Sequence, residues 1–298
     1  MLPTARTARL ALVLLLALVL PARSVRAQDT TSTANLRPTP DSEVVVLVLR
    51  DGSTLVGRVL EVTPTTVRVA SSFGESTVAR GEIREVQRRP RAALHGGELW
   101  PEDPSRTRLF FAPTGRTLRA GETYFADAYV LFPSVQVGLS DDISIGAGMS
   151  LVPGLSVDEQ VFYVTPKLRV YSTPTFSLSA GALVAGVGRI SSDSPFGVLY
   201  GVGTYGSEDA SLTAGAGWGF QQSTTSQHAV IVLGGSTRTT RNVALVTENY
   251  FYTGGGTVGL LSGGVRMMSE RIAVDLAGFT TTELNGIPVP YVSFLYKF

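Results

Sequence analysis

Over its last two thirds the chain alternates apolar and small polar side chains, residue by residue. Ser134 to Ser140 reads Ser-Val-Gln-Val-Gly-Leu-Ser, and Ile143 to Leu151 reads Ile-Ser-Ile-Gly-Ala-Gly-Met-Ser-Leu. A period of two means strand, because successive side chains leave a strand on opposite faces. The pattern returns in Val164 to Tyr171, Ala210 to Phe220, Ile272 to Ala277 and Tyr291 to Phe298. A soluble sheet would crowd charge onto its polar face. Here that face is mostly Gly, Ser, Thr and Ala, which suits the interior of a closed barrel and leaves the apolar face to lipid. The few charges assigned to the inner face are Asp127, Lys167, Arg169, Glu248, Asp275 and Lys297, about balanced in sign. They are expected to pair within a filled lumen. Lys167 and Arg169 share a face and could instead form a constriction that favours anions.

Spacing supports the same architecture. Candidate strands begin near Thr123, Ser134, Ile143, Val161, Phe176, Phe196, Ala210, Ala229, Val243, Thr257, Ile272 and Pro288. That is about 15 residues per strand and connection, in keeping with membrane strands of roughly 9 to 11 residues. The expected fold is all-β: a transmembrane antiparallel β-barrel over 122–298 of about 12 strands, with 10 or 14 also compatible because Val243 to Met268 alternates poorly. Tight links (Asp141-Asp142, Thr173-Pro174, Glu208-Asp209, Arg238 to Asn242, Ser269 to Arg271) interleave with mostly longer ones (Pro153 to Gln160, Ser191 to Pro195, Gln221 to Gln227, Thr280 to Ile287). An even count puts both barrel ends on one side of the membrane.

The N-terminal third has a different character. Arg6 and Arg9 precede an apolar run from Leu10 to Leu20 and the small-residue site Val25-Arg26-Ala27, which reads as a secretory signal peptide over 1–27. Residues 28–42 form a polar linker. Short β runs then follow from Glu43, with Asp51-Gly52 as a turn signal, and suggest a small closed barrel over 43–90. The stretch Leu49 to Val59, with Phe73-Gly74-Glu75, resembles the core of Sm-like and SH3-like domains, some of which bind RNA. With 8 Arg against 10 Asp+Glu between residues 41 and 105, nucleic acid is not an expected partner. Arg84, Arg88, Arg89 and Arg91 read as a solvated edge, with anionic lipid or a polyanion as the other reading. Residues 91–121 form a linker whose apolar piece, Leu109-Phe110-Phe111-Ala112-Pro113, is either an extra strand or a segment packed under the barrel.

The last residues, Tyr291-Val292-Ser293-Phe294-Leu295-Tyr296-Lys297-Phe298, resemble the C-terminal strand of bacterial outer-membrane β-barrel proteins. Those proteins end in Phe with apolar or aromatic residues two, four and six positions earlier, here Tyr296, Phe294 and Val292. The resemblance implies an outer-membrane location, contact with outer-membrane lipid, recognition by the barrel-assembly machinery, and an N-terminal domain placed in the periplasm to meet a periplasmic partner.

Chemistry-bearing residues are scarce. The chain has no Cys and two His, His95 and His228, so thiolate chemistry is absent and neither a metal site nor a cofactor is expected. Gly201 to Gly206 matches G-x-G-x-x-G but lies in strand sequence, where no helix N-terminus follows to meet a pyrophosphate. His228, beside Ser223 and Ser226, is placed in a loop without a catalytic partner. The expected function is non-enzymatic, a narrow pore or a structural barrel. A barrel hydrolase acting on lipid or peptide and a soluble secreted binding module are the alternatives.

Overall fold

The computed structural model describes residues 30–31, 36–188, 194–254, 259–281 and 288–298. The expected signal peptide lies outside them. The described chain falls into two compact units that divide between Arg91 and Ala92.

The first unit holds β1 (Glu43–Leu49), β2 (Thr54–Val62), β3 (Thr66–Ser71), β4 (Gly74–Ala79) and β5 (Ile83–Pro90), in the order β5-β1-β2-β3-β4, with Thr30–Thr31 added beside β5. Their inward alternation buries Val45, Leu47, Val59, Val67, Val69, Ile83 and Val86 in one core. Gly52 takes the positive φ that the β1–β2 turn demands (88°), and the Asp51 carboxylate accepts bonds from the Ser53 amide and hydroxyl. The expected closure is not completed by a ladder: among the described residues β4 does not pair with β5. The three-residue 3-10 turn Arg80–Glu82 carries the chain away from β4 and returns it beside β1 instead.

The second unit is a closed antiparallel barrel of 12 strands. They are β6 (Thr123–Ala128), β7 (Phe132–Gly138), β8 (Ile143–Met149), β9 (Val161–Val164 and Lys167–Ser172), β10 (Phe176–Val187), β11 (Phe196–Gly206), β12 (Ala210–Gln221), β13 (Thr224–Thr240), β14 (Val243–Tyr252), β15 (Gly259–Met268), β16 (Ile272–Thr281) and β17 (Val289–Lys297). Each pairs with the next, and β17 pairs with β6 from Ser293↔Ala128 to Lys297↔Tyr124, which leaves no free edge. β9 is interrupted at Thr165-Pro166 because proline has no amide to donate. The ladder survives there through reciprocal Gly146 and Thr165 backbone bonds.

The faces run as the alternation requires. Leu139, Ile145, Val170, Leu212, Leu245, Leu276 and Phe294 point outward and are exposed, Leu212 at 71%. Ser144, Ser179, Thr204, Ser211, Thr213 and Ser293 point inward and are buried. Among the described residues three bulges break the barrel pattern: between Arg169 and Tyr171, after which Tyr171 is exposed, between Trp218 and Phe220, and between Arg238 and Thr240. The expected loop Gln221 to Gln227 is largely strand, since β13 begins at Thr224.

Candidate functional site: a segment held inside the barrel

The site is built from the residues that precede the first barrel strand. The apolar piece around Phe110 is neither an extra strand nor packed beneath the barrel, because it lies within the lumen. The Leu109 amide donates to the Ala112 carbonyl (2.8 Å) and the Thr114 amide to the Thr107 carbonyl (3.0 Å), so residues 107–114 form a narrow hairpin with Phe110-Phe111 at its tip. Such a hairpin cannot satisfy its outer backbone groups by itself, and a buried unpaired amide or carbonyl costs about 1–3 kcal/mol. The barrel wall supplies the partners.

Glu248 on β14 supplies most of them. Its Oε2 accepts three successive amides, Phe110 (2.8 Å), Phe111 (3.0 Å) and Ala112 (2.9 Å), and its Oε1 accepts the Tyr250 hydroxyl (2.6 Å). This carboxylate is fully buried. It accepts every one of these bonds and donates none, the geometry of an ionised acceptor held by a run of backbone amide dipoles. On the carbonyl side, Arg266 Nη2 donates to Leu109 (2.6 Å), the Tyr291 hydroxyl to Phe110 (3.2 Å) and Lys167 Nζ to Thr107 (3.2 Å). Further along, the Gly115 amide donates to Thr204 Oγ1 (2.8 Å) while Ser179 Oγ donates to the Gly115 carbonyl (2.7 Å). Gly115 runs so close to β10 that a Cβ there would collide with the Ser177 carbonyl. Packing completes the tip: Phe110 and Phe111 meet Phe279 and Tyr291, with ring centroids 4.7 to 5.9 Å apart.

Charge is paired in the same space. Arg266, fully buried, bridges Asp275 (Nε to Oδ1, 2.7 Å) and Asp103 at the start of the inserted segment (Nη1 to Oδ2, 3.0 Å). Arg108 reaches Ser293 Oγ (3.0 Å), which itself donates to Asp275 (2.9 Å). At the end of the barrel where the chain enters, Arg106 pairs with Glu122 (2.5 Å) and Lys297 with the same carboxylate (2.8 Å). Burial works against the charge of Glu122, but Arg106 and Lys297 outweigh it and hold its carboxyl down to about 2. Above this ring sits a small hairpin, Leu94–His95 against Glu98–Leu99. There His95 stacks on Trp100 (3.9 Å), the Arg238 guanidinium lies over the same indole, and Asp209 faces both His95 and Arg238.

Of the six expected lumen charges, Glu248 and Asp275 grip the inserted segment and its arginine partners. Lys167 is inward and 8% exposed, and its bond is to a carbonyl rather than to Asp127, Glu248 or Asp275. Arg169 pairs with Asp142 (2.8 Å) beside the β7–β8 turn, and Lys297 lies in the ring of charges where the chain enters. Asp127 corrects the expectation. It is opposite Phe294 and Pro133 in register and so shares the outward face, where it accepts the Phe132 amide. A one-residue difference in phase reverses every side chain of a strand, and β6 carries Tyr124, Ala126 and Ala128 inward. His228 corrects another: it lies within β13, edge-on to Tyr252, rather than in a loop. Gly201 to Gly206 ends strand β11. Among the described residues no group of three or more His, Asp or Glu could hold a metal.

No protein-family model matches the sequence, and no curated protein does. Among solved structures, the chain is similar to the KdgM porin in complex with disordered oligogalacturonate (9% identity, 59% of this chain and 98% of that one, TM-score 0.45). It is also similar to OmpF of Salmonella typhi in complex with daunomycin (10% identity, 86% and 95%, TM-score 0.33) and to OmpT with loop L8 deleted, an outer-membrane protein of Vibrio cholerae (13% identity, 86% and 96%, TM-score 0.34).

Proposed function

We propose that this chain is a non-enzymatic outer-membrane β-barrel protein whose lumen is kept closed by residues 103–121. An exposed apolar belt around a closed 12-strand wall has hydrocarbon as its natural solvent, because every backbone group of a closed barrel is paired without water. Both barrel ends leave on one side, as periplasmic termini require, and the role assigned to the N-terminal domain is to meet a periplasmic partner. Val292, Phe294, Tyr296 and Phe298 share the outer face of the closing strand and serve as the signal read by the barrel-assembly machinery.

The observation that carries the closed lumen is the seating of three consecutive amides, Phe110 to Ala112, on the single buried carboxylate of Glu248. Conductance across a planar bilayer tests it. The wild-type protein is expected to be silent for most of the recording, and Glu248→Ala combined with Arg266→Ala to conduct. A steadily open wild-type channel would refute closure.

A further inference from the structure

Among the described residues the hydrogen-bond ladder of the barrel has one gap that neither a bulge nor a proline explains. β14 and β15 pair from Val243↔Met267 to Val246↔Gly264, then resume in the same register at Tyr250↔Leu260 and Phe251↔Gly259. Thr247, Glu248 and Asn249 are passed over, as are Leu261, Ser262 and Gly263. On its other edge the same stretch of β14 is paired without interruption to Leu233, Gly234 and Gly235 of β13.

Side chains span the gap. Ser262 Oγ accepts the Glu248 amide (3.0 Å) and donates to the Glu248 carbonyl (2.5 Å), while the Ser262 amide donates to Asn249 Oδ1 (3.0 Å) and its carbonyl accepts Thr247 Oγ1 (2.6 Å). Hydroxyl and amide rotors can turn to other partners when the strands part, as Asn249 Nδ2 already does toward Leu233 O and Thr247 Oγ1. A backbone ladder in an apolar medium has no such substitute. Glu248 ties the gap to the lumen, because its backbone is latched by Ser262 and its carboxylate holds the hairpin tip. Outside, a groove of about 510 Å³ runs along the apolar face between Phe176, Tyr205, Leu212 and Leu233 and ends at Thr247 and Asn249.

We propose that the β14–β15 wall is a lateral gate, latched by Ser262, through which the hydrocarbon chain of a membrane lipid passes from this groove toward the hairpin tip. The inference rests on the membrane reading above. The groove fixes the class of molecule: its lining is mainly apolar, with Thr213 on β12 and then Thr247 and Asn249 at the gate, and it faces the belt assigned to lipid. Inside, the Phe111 side chain is 48% exposed and would meet the arriving chain.

Two measurements test the gate in the full chain in lipid nanodiscs. In the wild-type protein, hydrogen exchange at the Glu248 and Ser262 amides, the two that face the gap, is expected to be at least tenfold faster than at their β12–β13 counterparts. Ser262→Ala should accelerate exchange at Phe110 to Ala112 as well, a response that a merely frayed ladder would not give. The chain has no Cys, so Thr247→Cys with Gly263→Cys, directly opposed in register, allows one disulfide across the gap at a spacing that antiparallel partners satisfy. With Phe111→Trp as the only indole, in a Trp100→Phe, Trp218→Phe background, and brominated-chain phosphatidylcholine as probe, quenching is expected in the reduced protein and is lost on oxidation. Equal quenching in both forms, or exchange at the gap as slow as in neighbouring strands, overturns the gate. Mobility on gels that changes on boiling shows that the barrel is in place, so absent quenching then counts against the gate and not against the membrane reading.

Discussion

Replacing Glu248 by Gln isolates how firmly the hairpin is held. The amide side chain keeps the volume of the carboxylate and can leave one oxygen facing the three amides of Phe110, Phe111 and Ala112, now 2.8 to 3.0 Å from Oε2. What disappears is the charge. Bonds to an ionised acceptor contribute about 1.5–3 kcal/mol and neutral ones about 0.5–1.5. Three such differences sum to roughly 3 kcal/mol, since neutral bonds remain and the shared acceptor keeps the contributions from adding fully. The Tyr250 hydroxyl, which donates to Oε1, can reverse to accept from the new NH₂ and adds little. A loss of about 3 kcal/mol raises the released population roughly a hundredfold. Hydrogen exchange of residues 103–121 in the folded barrel reads that population directly, and the open probability in bilayers should rise with it. Unchanged exchange at the hairpin tip, with the barrel intact, would refute the claim that Glu248 holds the segment in place.

Further perturbations bear on separate parts of the structure. Gly115→Ala sets a methyl against the Ser177 carbonyl; overpacking of this kind costs about 1–3 kcal/mol, and exchange should quicken at 113–117 while the β10–β11 ladder stays protected. Glu122 is held down to about 2 when folded against a reference value of 4.5, so its contribution is complete above about pH 4.5 and is lost as pH falls toward 2. Urea resistance should decline over that window and decline less in Glu122→Gln, and identical profiles would remove this carboxylate from the account. Val67→Ala in the small N-terminal core, where Val67 is fully buried, should destabilise that unit by about 2 kcal/mol without altering bilayer currents. His228→Ala should leave lipase and protease activity at background, and a measurable activity that the substitution abolishes would revive the hydrolase alternative.

The barrel wall was legible in the sequence because alternation and turn spacing are local. Nine of the twelve expected strand starts fall within a residue of those observed, and Ile143, Val161, Phe176, Phe196 and Ala210 coincide with them. Facing was less legible where phase depends on neighbours, as at Asp127, or where a bulge intervenes, as at Tyr171. The inserted segment was hidden because its bonds are long-range: Phe110 to Glu248 spans 138 residues and Leu109 to Arg266 spans 157. Nothing local in Leu-Phe-Phe-Ala-Pro announces that a carboxylate on a later strand will bind its amides. Arg266 was within reach, since pairing β15 with β16 across the Ser269 to Arg271 turn sets it opposite Asp275. Irregular alternation in that stretch masked it, and the latch residues Thr247, Asn249 and Ser262 mark the irregular part.

Heat-modifiability on a gel shows whether the chain forms a closed membrane barrel, using membrane fractions from cells that export the full chain. A closed barrel sealed by its own ladder stays folded in cold detergent, so a membrane-pelleted band whose mobility changes on boiling is expected. A protein recovered in the aqueous periplasmic fraction, running alike before and after boiling, would contradict the membrane reading.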